Sequence, residues 1–264
     1  MNRGIVILAQ NTDKVNYIEN AELLAQSITK CMPNLHLTLV TDDIDDSKYF
    51  DNVVALPYGD LSPQSDWKLI NDWQVYEATP YKHTIKLEAD LFITQPFDYW
   101  WSVLQQKDVV ISTKIRNFKQ EISTSRFYRK FIDDNNLPDV YNAITYFKKS
   151  ELAKRFFEIV KDVFYNWDHY KNSLKCNTTE QATTDWAYAI ACHILGVENT
   201  TISNFDSMSM IHMKQHINNL AVENWEEVLV YEINKDVIRV NTYPQLYPFH
   251  YHIKSFHKKL SKAL

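Results

Sequence analysis

Tyr81-Lys82-His83-Thr84-Ile85-Lys86-Leu87-Glu88-Ala89-Asp90-Leu91-Phe92-Ile93-Thr94 reads as a strand into which two carboxylates, Glu88 and Asp90, intrude with one residue between them. An ionised carboxylate taken from water into an apolar setting is strongly disfavoured unless it is paired or coordinates a metal. The pair therefore predicts a divalent cation bound at a strand end. The alternative is an edge strand whose Lys86, Glu88 and Asp90 face water.

On the amino-terminal side, Ile5-Val6-Ile7-Leu8-Ala9 reads as a buried strand, and Asn11-Thr12-Asp13 precedes a helical pattern through Tyr17, Ile18, Ala21, Leu24, Ala25 and Ile28. Leu35 to Val40 is the next strand, and Val53 to Leu56 a third. A helix over Leu69 to Glu77 stops at Thr79-Pro80, and Ile85 to Leu87 is the fourth strand. This alternation predicts an open, mostly parallel α/β sheet flanked by helices. In such sheets ligands sit beyond the carboxyl ends of the strands, where Gln10-Asn11-Thr12, Asp42-Asp43 and Glu88-Asp90 all fall. Farther on the pattern predicts a strand at Val109 to Ser112 and helices over Leu152 to Trp167 and Thr184 to Leu195. With no repeat or linker, residues 1–264 read as one domain: a nucleotide-binding half (1–100), then an acceptor half with a carboxyl-terminal elaboration (101–264).

The chain has 264 residues, 45% of them apolar and 14% aromatic, enough to bury one sizeable core. Its net charge of −5 supplies no global basic field, so nucleic acid would have to be met by a local patch. Cys31, Cys176 and Cys192 are odd in number and lack CxxC spacing, which argues against a disulfide framework and a thiolate zinc site. The apolar run at the amino terminus is too short for a signal sequence, so cytoplasmic residence is expected. Gly4, Gly59 and Gly196 are the only glycines, which excludes both GxGxxG and GxxxxGK[ST]. Any phosphate must be held by metal, lysine or ordinary helix termini.

Several clusters offer chemistry. His212, in Ile211-His212-Met213-Lys214, and the trio His250, His252 and His257 are candidate metal ligands; the alternative is packing or surface histidines. A histidine joining the two carboxylates makes a mixed oxygen and nitrogen site suited to Mn2+ (or Mg2+), with Lys214 or Lys254 left to neutralise a phosphate. Asp185 begins a helix, where an acid is also simply favoured by the helix dipole. Asn142 opens an apolar run and could orient a hydroxyl-bearing ligand, although asparagine at a strand entry is ordinary.

Taken in order, these segments resemble the GT-A glycosyltransferases, enzymes that use nucleotide-sugar donors. Ile5 to Ala9 with Gln10-Asn11 looks like their first strand and nucleotide loop, and Leu37 to Val40 with Thr41-Asp42-Asp43 like the second strand with its base-contacting acids. Thr84 to Ile93 is similar to the strand carrying the DxD metal and diphosphate motif, here with Glu88 in the first position. Asn142-Ala143-Ile144 resembles the Asn-x-Gly acceptor segment without its glycine. The resemblance implies Asp90 as metal ligand, with Glu88 a ribose or indirect metal contact, and His212 or His252 as the later metal-ligating histidine. It implies Lys214 or Lys254 at the diphosphate, Lys68 and Asn71 at the donor, and Asp185 at the sugar or acceptor. The donor class implied is a nucleotide-sugar, UDP-linked by preference.

Asp66 to Glu77 with Thr79-Pro80, and Tyr99-Trp100-Trp101, look like glycosyltransferases of large tailed phages, some of which glycosylate hydroxymethylated cytosine. Modified DNA is thus one acceptor, met through Lys114, Arg116, Lys119, Arg126, Arg129 and Lys130, unless that segment is merely a solvated face. A glycan or lipopolysaccharide acceptor is the alternative. Outside this class stand a nucleotidyltransferase, a carboxylate-metal nuclease with Glu88 and Asp90 activating water beside Lys86, and a sugar-binding module that needs no metal.

Overall fold

The computed structural model describes residues 2–43, 47–176, 181–202, 208–220, 229–234, 237–253 and 256–264. Its strands, in chain order, are β1 (Arg3–Leu8), β2 (Leu37–Val40), β3 (Asn52–Val54), β4 (His83–Glu88), β5 (Leu91–Phe92), β6 (Val109–Ser112), β7 (Ile115–Arg116), β8 (Tyr141–Lys148), β9 (Met210–His212), β10 (Tyr231–Asn234), β11 (Val237–Val240), β12 (Tyr243–Pro244) and β13 (Phe249–His250). The main sheet has the order β3-β2-β1-β4-β8-β6. β3, β2, β1 and β4 run parallel, and β8 is inserted antiparallel between β4 and β6.

The sheet is buried on both faces, which is why its strands are apolar runs rather than alternating ones. Ile5 and Ile7 of β1 point to one side, with Leu37, Leu39, Ile85 and Leu87, against the helix Tyr17–Cys31. Val6 points to the other, into a core shared with Phe147 and the helices Glu151–Tyr165 and Thr184–Leu195. Spacing makes the Glu151–Tyr165 helix: Ala153, Phe156, Phe157, Val160, Val163 and Phe164 form one buried stripe, and the Ser150 side chain caps its first turn. Trp100 and Trp101 are packed into the first of these cores.

β4 is a central strand, paired with β1 on one side and β8 on the other. The expectation of a solvent-facing edge strand therefore fails. The predicted helix over Leu69 to Glu77 is a 3-10 segment, Leu69–Gln74, continued by one α-turn, Val75–Ala78. A second sheet of order β5-β13-β9-β7 joins β5, from the first half of the chain, to strands of the carboxyl-terminal half, which also holds a three-stranded meander, β10-β11-β12.

Candidate active site

β4 delivers Glu88 and Asp90 to its carboxyl end, where the chain turns directly into β5. β5 pairs antiparallel with β13, setting His250 opposite Leu91, and the Tyr251 N–H donates to the Asp90 carbonyl at 3.2 Å. β13 in turn pairs in parallel with β9, with His250 level with His212. Three segments far apart in sequence are stitched together by this small sheet. Asp90 is 5% exposed, and His250 Nε2 lies 3.0 Å from Asp90 Oδ2 and 3.5 Å from Glu88 Oε2.

Asp90, His250 and His252 each offer a ligand atom, and the three atoms lie within 4.8 Å of one another. His252 leaves the strand in a left-handed backbone conformation, φ 33°, disfavoured for a residue with a Cβ. The buried Nδ1 atoms of His250 and His212 have no hydrogen-bond partner among the described residues. One carboxylate and two imidazoles, with an unpartnered buried ring nitrogen beside them, fit a divalent cation of borderline character. His212 packs against His250 with ring centroids 4.6 Å apart and planes tilted by 34°, and its ligand atoms are not part of that group of three. Burial, with His250 and Lys214 adding to it, holds the His212 imidazole well below its usual pKa, so it is neutral.

Glu88 is held at both ends. Asn142 Nδ2 donates to Glu88 Oε1 at 2.8 Å, while Oε2 faces His250. Burial raises the Glu88 carboxyl above its usual range and Asp90 adds to this; His250 and Lys86 pull the other way. Asn142 is fixed in turn by Asp185, whose Oδ1 accepts from the Asn142 backbone N–H at 2.9 Å and whose Oδ2 accepts from Arg129 Nη1 at 2.9 Å. Arg129, almost fully buried, also donates to Asp139 and to the Val140 carbonyl. Thr183 caps the helix that carries Asp185.

These groups border a cavity of about 480 Å³ at the carboxyl end of the parallel strands. Gln10, Lys68, Glu88, Asp90, Asn142, Asp185, His212, Lys214 and His252 are all in its lining, and so are Asp72, Lys86 and His250. Asn71 is not. It is fully buried, its side-chain amide donating to Gln10 Oε1 (2.8 Å) and Asp60 Oδ1 (2.7 Å) and its side-chain carbonyl accepting from the Leu61 N–H and Gln74 Nε2. Lys68 reaches the lining while paired with Asp60 at 2.5 Å. Asn11 caps the start of the Tyr17–Cys31 helix through the Ile18 N–H. Asp42 accepts from Gln10 Nε2 at 3.1 Å; it and Asp43 are exposed and outside the lining. Lys254 lies outside the described residues.

Sequence reasoning named His212 or His252 as the metal-ligating histidine and left His250 as one member of the 250, 252 and 257 trio; the structure groups His250 with Asp90 and His252. Sequence reasoning also missed the buried pair beneath the cavity, in which Lys86 contacts Asp72 and Asp72 accepts from the Tyr188 hydroxyl at 2.6 Å. Neither partner of that pair carries a motif.

Among solved structures, the chain is similar to the galactosyltransferase LgtC in complex with donor and acceptor sugar analogs, with a TM-score of 0.58 and 12% identity over 99% of this chain and 96% of that one. It is also similar to mouse xyloside xylosyltransferase 1, with a TM-score of 0.53 and 9% identity over 95% and 97% of the two chains. The fold is that of GT-A glycosyltransferases. No protein-family model matches the sequence, and no curated protein does. Among the described residues no helix is long and apolar enough to cross a membrane.

Proposed function

We propose that the protein is a metal-dependent glycosyltransferase that moves a sugar from a nucleotide-sugar, UDP-linked by preference, to an acceptor hydroxyl. The observation that carries this reading is the junction of Asp90, His250 and His252 at the end of the parallel strands, on the rim of a cavity of ligand size. These three residues would hold Mn2+ or Mg2+. Such a cation, when bound, neutralises charge on a departing diphosphate as a Lewis acid. Lys214 borders the same cavity beside His212 and supports a second positive contact to phosphate. Asn142 keeps the Glu88 carboxylate turned toward His250. Asp185, with both oxygens engaged, acts in this reading by holding Asn142 rather than by taking a proton.

For the acceptor, we favour a glycan over modified DNA. Of the six cations expected to meet DNA phosphates, Arg126 is paired with Asp133 and Asp139, and Arg129 with Asp139 and Asp185. Arg116 packs on the Tyr247 ring and donates to the Gln120 carbonyl. Those pairings weaken the segment as a phosphate-binding surface.

The test is thermal stabilisation by nucleotides and nucleotide-sugars, each with and without Mn2+. A ligand at about 100 times its dissociation constant adds roughly 2.7 kcal/mol of stability. A shift that needs Mn2+ and disappears in both Asp90→Ala and His250→Ala is expected. Nucleotide binding that is indifferent to metal and to both variants would refute the assignment. DNA cleavage without a nucleotide-sugar would point to the nuclease instead.

A further inference from the structure

Beside the cavity, Phe127 and Tyr128, 63% and 41% exposed, stand on a short 3-10 turn, Phe127–Arg129. Exposed neighbouring aromatics are costly to leave in water without a use, and this turn is not free to fold them away. Arg126 is clamped to Asp133 and Asp139 on one side, and Arg129 is anchored to Asp185 on the other. His216 stacks on Phe127 with centroids 3.6 Å apart and rings 21° from parallel, and Tyr128 stands edge-on to Phe127 at 83°. The result is a fixed aromatic shelf. Two contacts join it to the cavity: Lys214, in the cavity lining, holds its ammonium 5.0 Å from the centre of the Tyr128 ring, and Asp185, also in the lining, receives Arg129.

We propose that Phe127, Tyr128 and His216 form the acceptor subsite and take a pyranose ring of a glycan, with Lys214 at the boundary between acceptor and donor. This rests on the glycosyltransferase reading above. An aromatic face packs against the apolar C–H face of a sugar, while ammonium and imidazole groups can hydrogen-bond its hydroxyls. Arg126 and Arg129, which a polyanion would need, are held by Asp133, Asp139 and Asp185, which is why a glycan is preferred to DNA.

The probes are methyl glycosides of glucose and galactose, lactose and maltose, followed by saturation-transfer NMR on the full chain with Mn2+ and UDP. A short oligonucleotide containing 5-hydroxymethylcytosine is run beside them. Phe127→Ala and Tyr128→Ala remove exposed rings and are compared with the parent chain, with the UDP-dependent thermal shift measured in each. The expected result is that at least one glycoside binds and that each variant weakens it about tenfold, the effect of losing a stacking ring, while the UDP shift of Phe127→Ala, whose ring does not touch Lys214, is unchanged. If no glycoside binds, or both variants bind it as the parent does, while the UDP shift persists, the shelf proposal is overturned and the donor reading stands. If the parent shows no nucleotide shift at all, the glycosyltransferase reading fails and the acceptor role falls with it. Oligonucleotide binding that depends on Phe127 would overturn the glycan assignment in favour of DNA.

Discussion

Replacing Lys86 by methionine tests whether the floor of the cavity is an electrostatic unit. Lys86 is 1% exposed on the central strand β4, and its ammonium contacts Asp72, itself 6% exposed. The other oxygen of Asp72 accepts from the buried Tyr188 hydroxyl, and the Lys86 ammonium lies 5.5 Å from the centre of the Tyr188 ring. Methionine fills nearly the same volume, so the substitution removes charge with little loss of packing. It leaves a carboxylate in the protein interior with one hydroxyl for company. Breaking a buried pair in this way costs about 3–5 kcal/mol, far more than the net worth of an exposed pair. For a chain of this size each kcal/mol moves the melting temperature by about 2–4 °C, so a fall of about 6–20 °C is expected in a scan without metal or nucleotide. In urea the midpoint should fall at unchanged slope. Converting the whole unit, with Lys86→Met, Asp72→Leu and Tyr188→Phe together, leaves no uncompensated charge or orphaned hydroxyl and should recover most of the loss. A single Lys86→Met variant within about 1 kcal/mol of the parent, or a triple variant no more stable than the single one, would refute the reasoning.

Asp185→Ala removes the acceptor of both Arg129 Nη1 and the Asn142 N–H; a loss of about 2 kcal/mol by urea denaturation is expected, with Asp139 retaining part of the Arg129 contact. Gly4→Ala would drive a Cβ into the ring of Tyr81, which is buried and shares a hydrogen bond with Thr38, so a cost of about 1–3 kcal/mol should appear as a lowered urea midpoint. His83 has its pKa lowered by burial first, with Lys82 and Lys148 adding to it. Its folded pKa lies below the unfolded value of about 6.5, so on acidification the unfolded chain takes up the proton first. The stability His83 contributes is thus full above that pH and declines below it, and His83→Gln should flatten the urea midpoint between pH 7.5 and 5.5, measured with chelator present.

The parallel half of the fold was legible because each of its signals is local. Ile5-Val6-Ile7-Leu8 is a strand buried on both faces, and the helical pattern from Tyr17 through Ile28 falls within the helix Tyr17–Cys31. Thr184 to Leu195 was legible for the same reason, with a cap, an acid in the first turn and a glycine directly after it. Glu88 and Asp90 stood out because carboxylates in an apolar run need a partner, and Asp90 has one in His250. What could not be read was which distant residue would be that partner.

That choice is made by strand register, and register depends on pairings between strands of two or three residues that no periodicity announces. His212 and His250 are level on β9 and β13, and only β13 lies directly against β5, the strand that continues from Asp90. Had β9 and β13 exchanged places, His212 would stand where His250 does, and the His-x-Lys segment at 212–214 would read as the metal ligand with equal sequence support. The order β5-β13-β9-β7 therefore carries the site assignment, so the variants that discriminate most sharply are His250→Ala and His212→Ala compared side by side. Mn2+ binding measured by calorimetry should be lost in the first and retained in the second, since His212 packs beside His250 without belonging to the ligand group. Loss in the second with retention in the first would mean that the pairing of β13 with β5 is not the arrangement that binds metal.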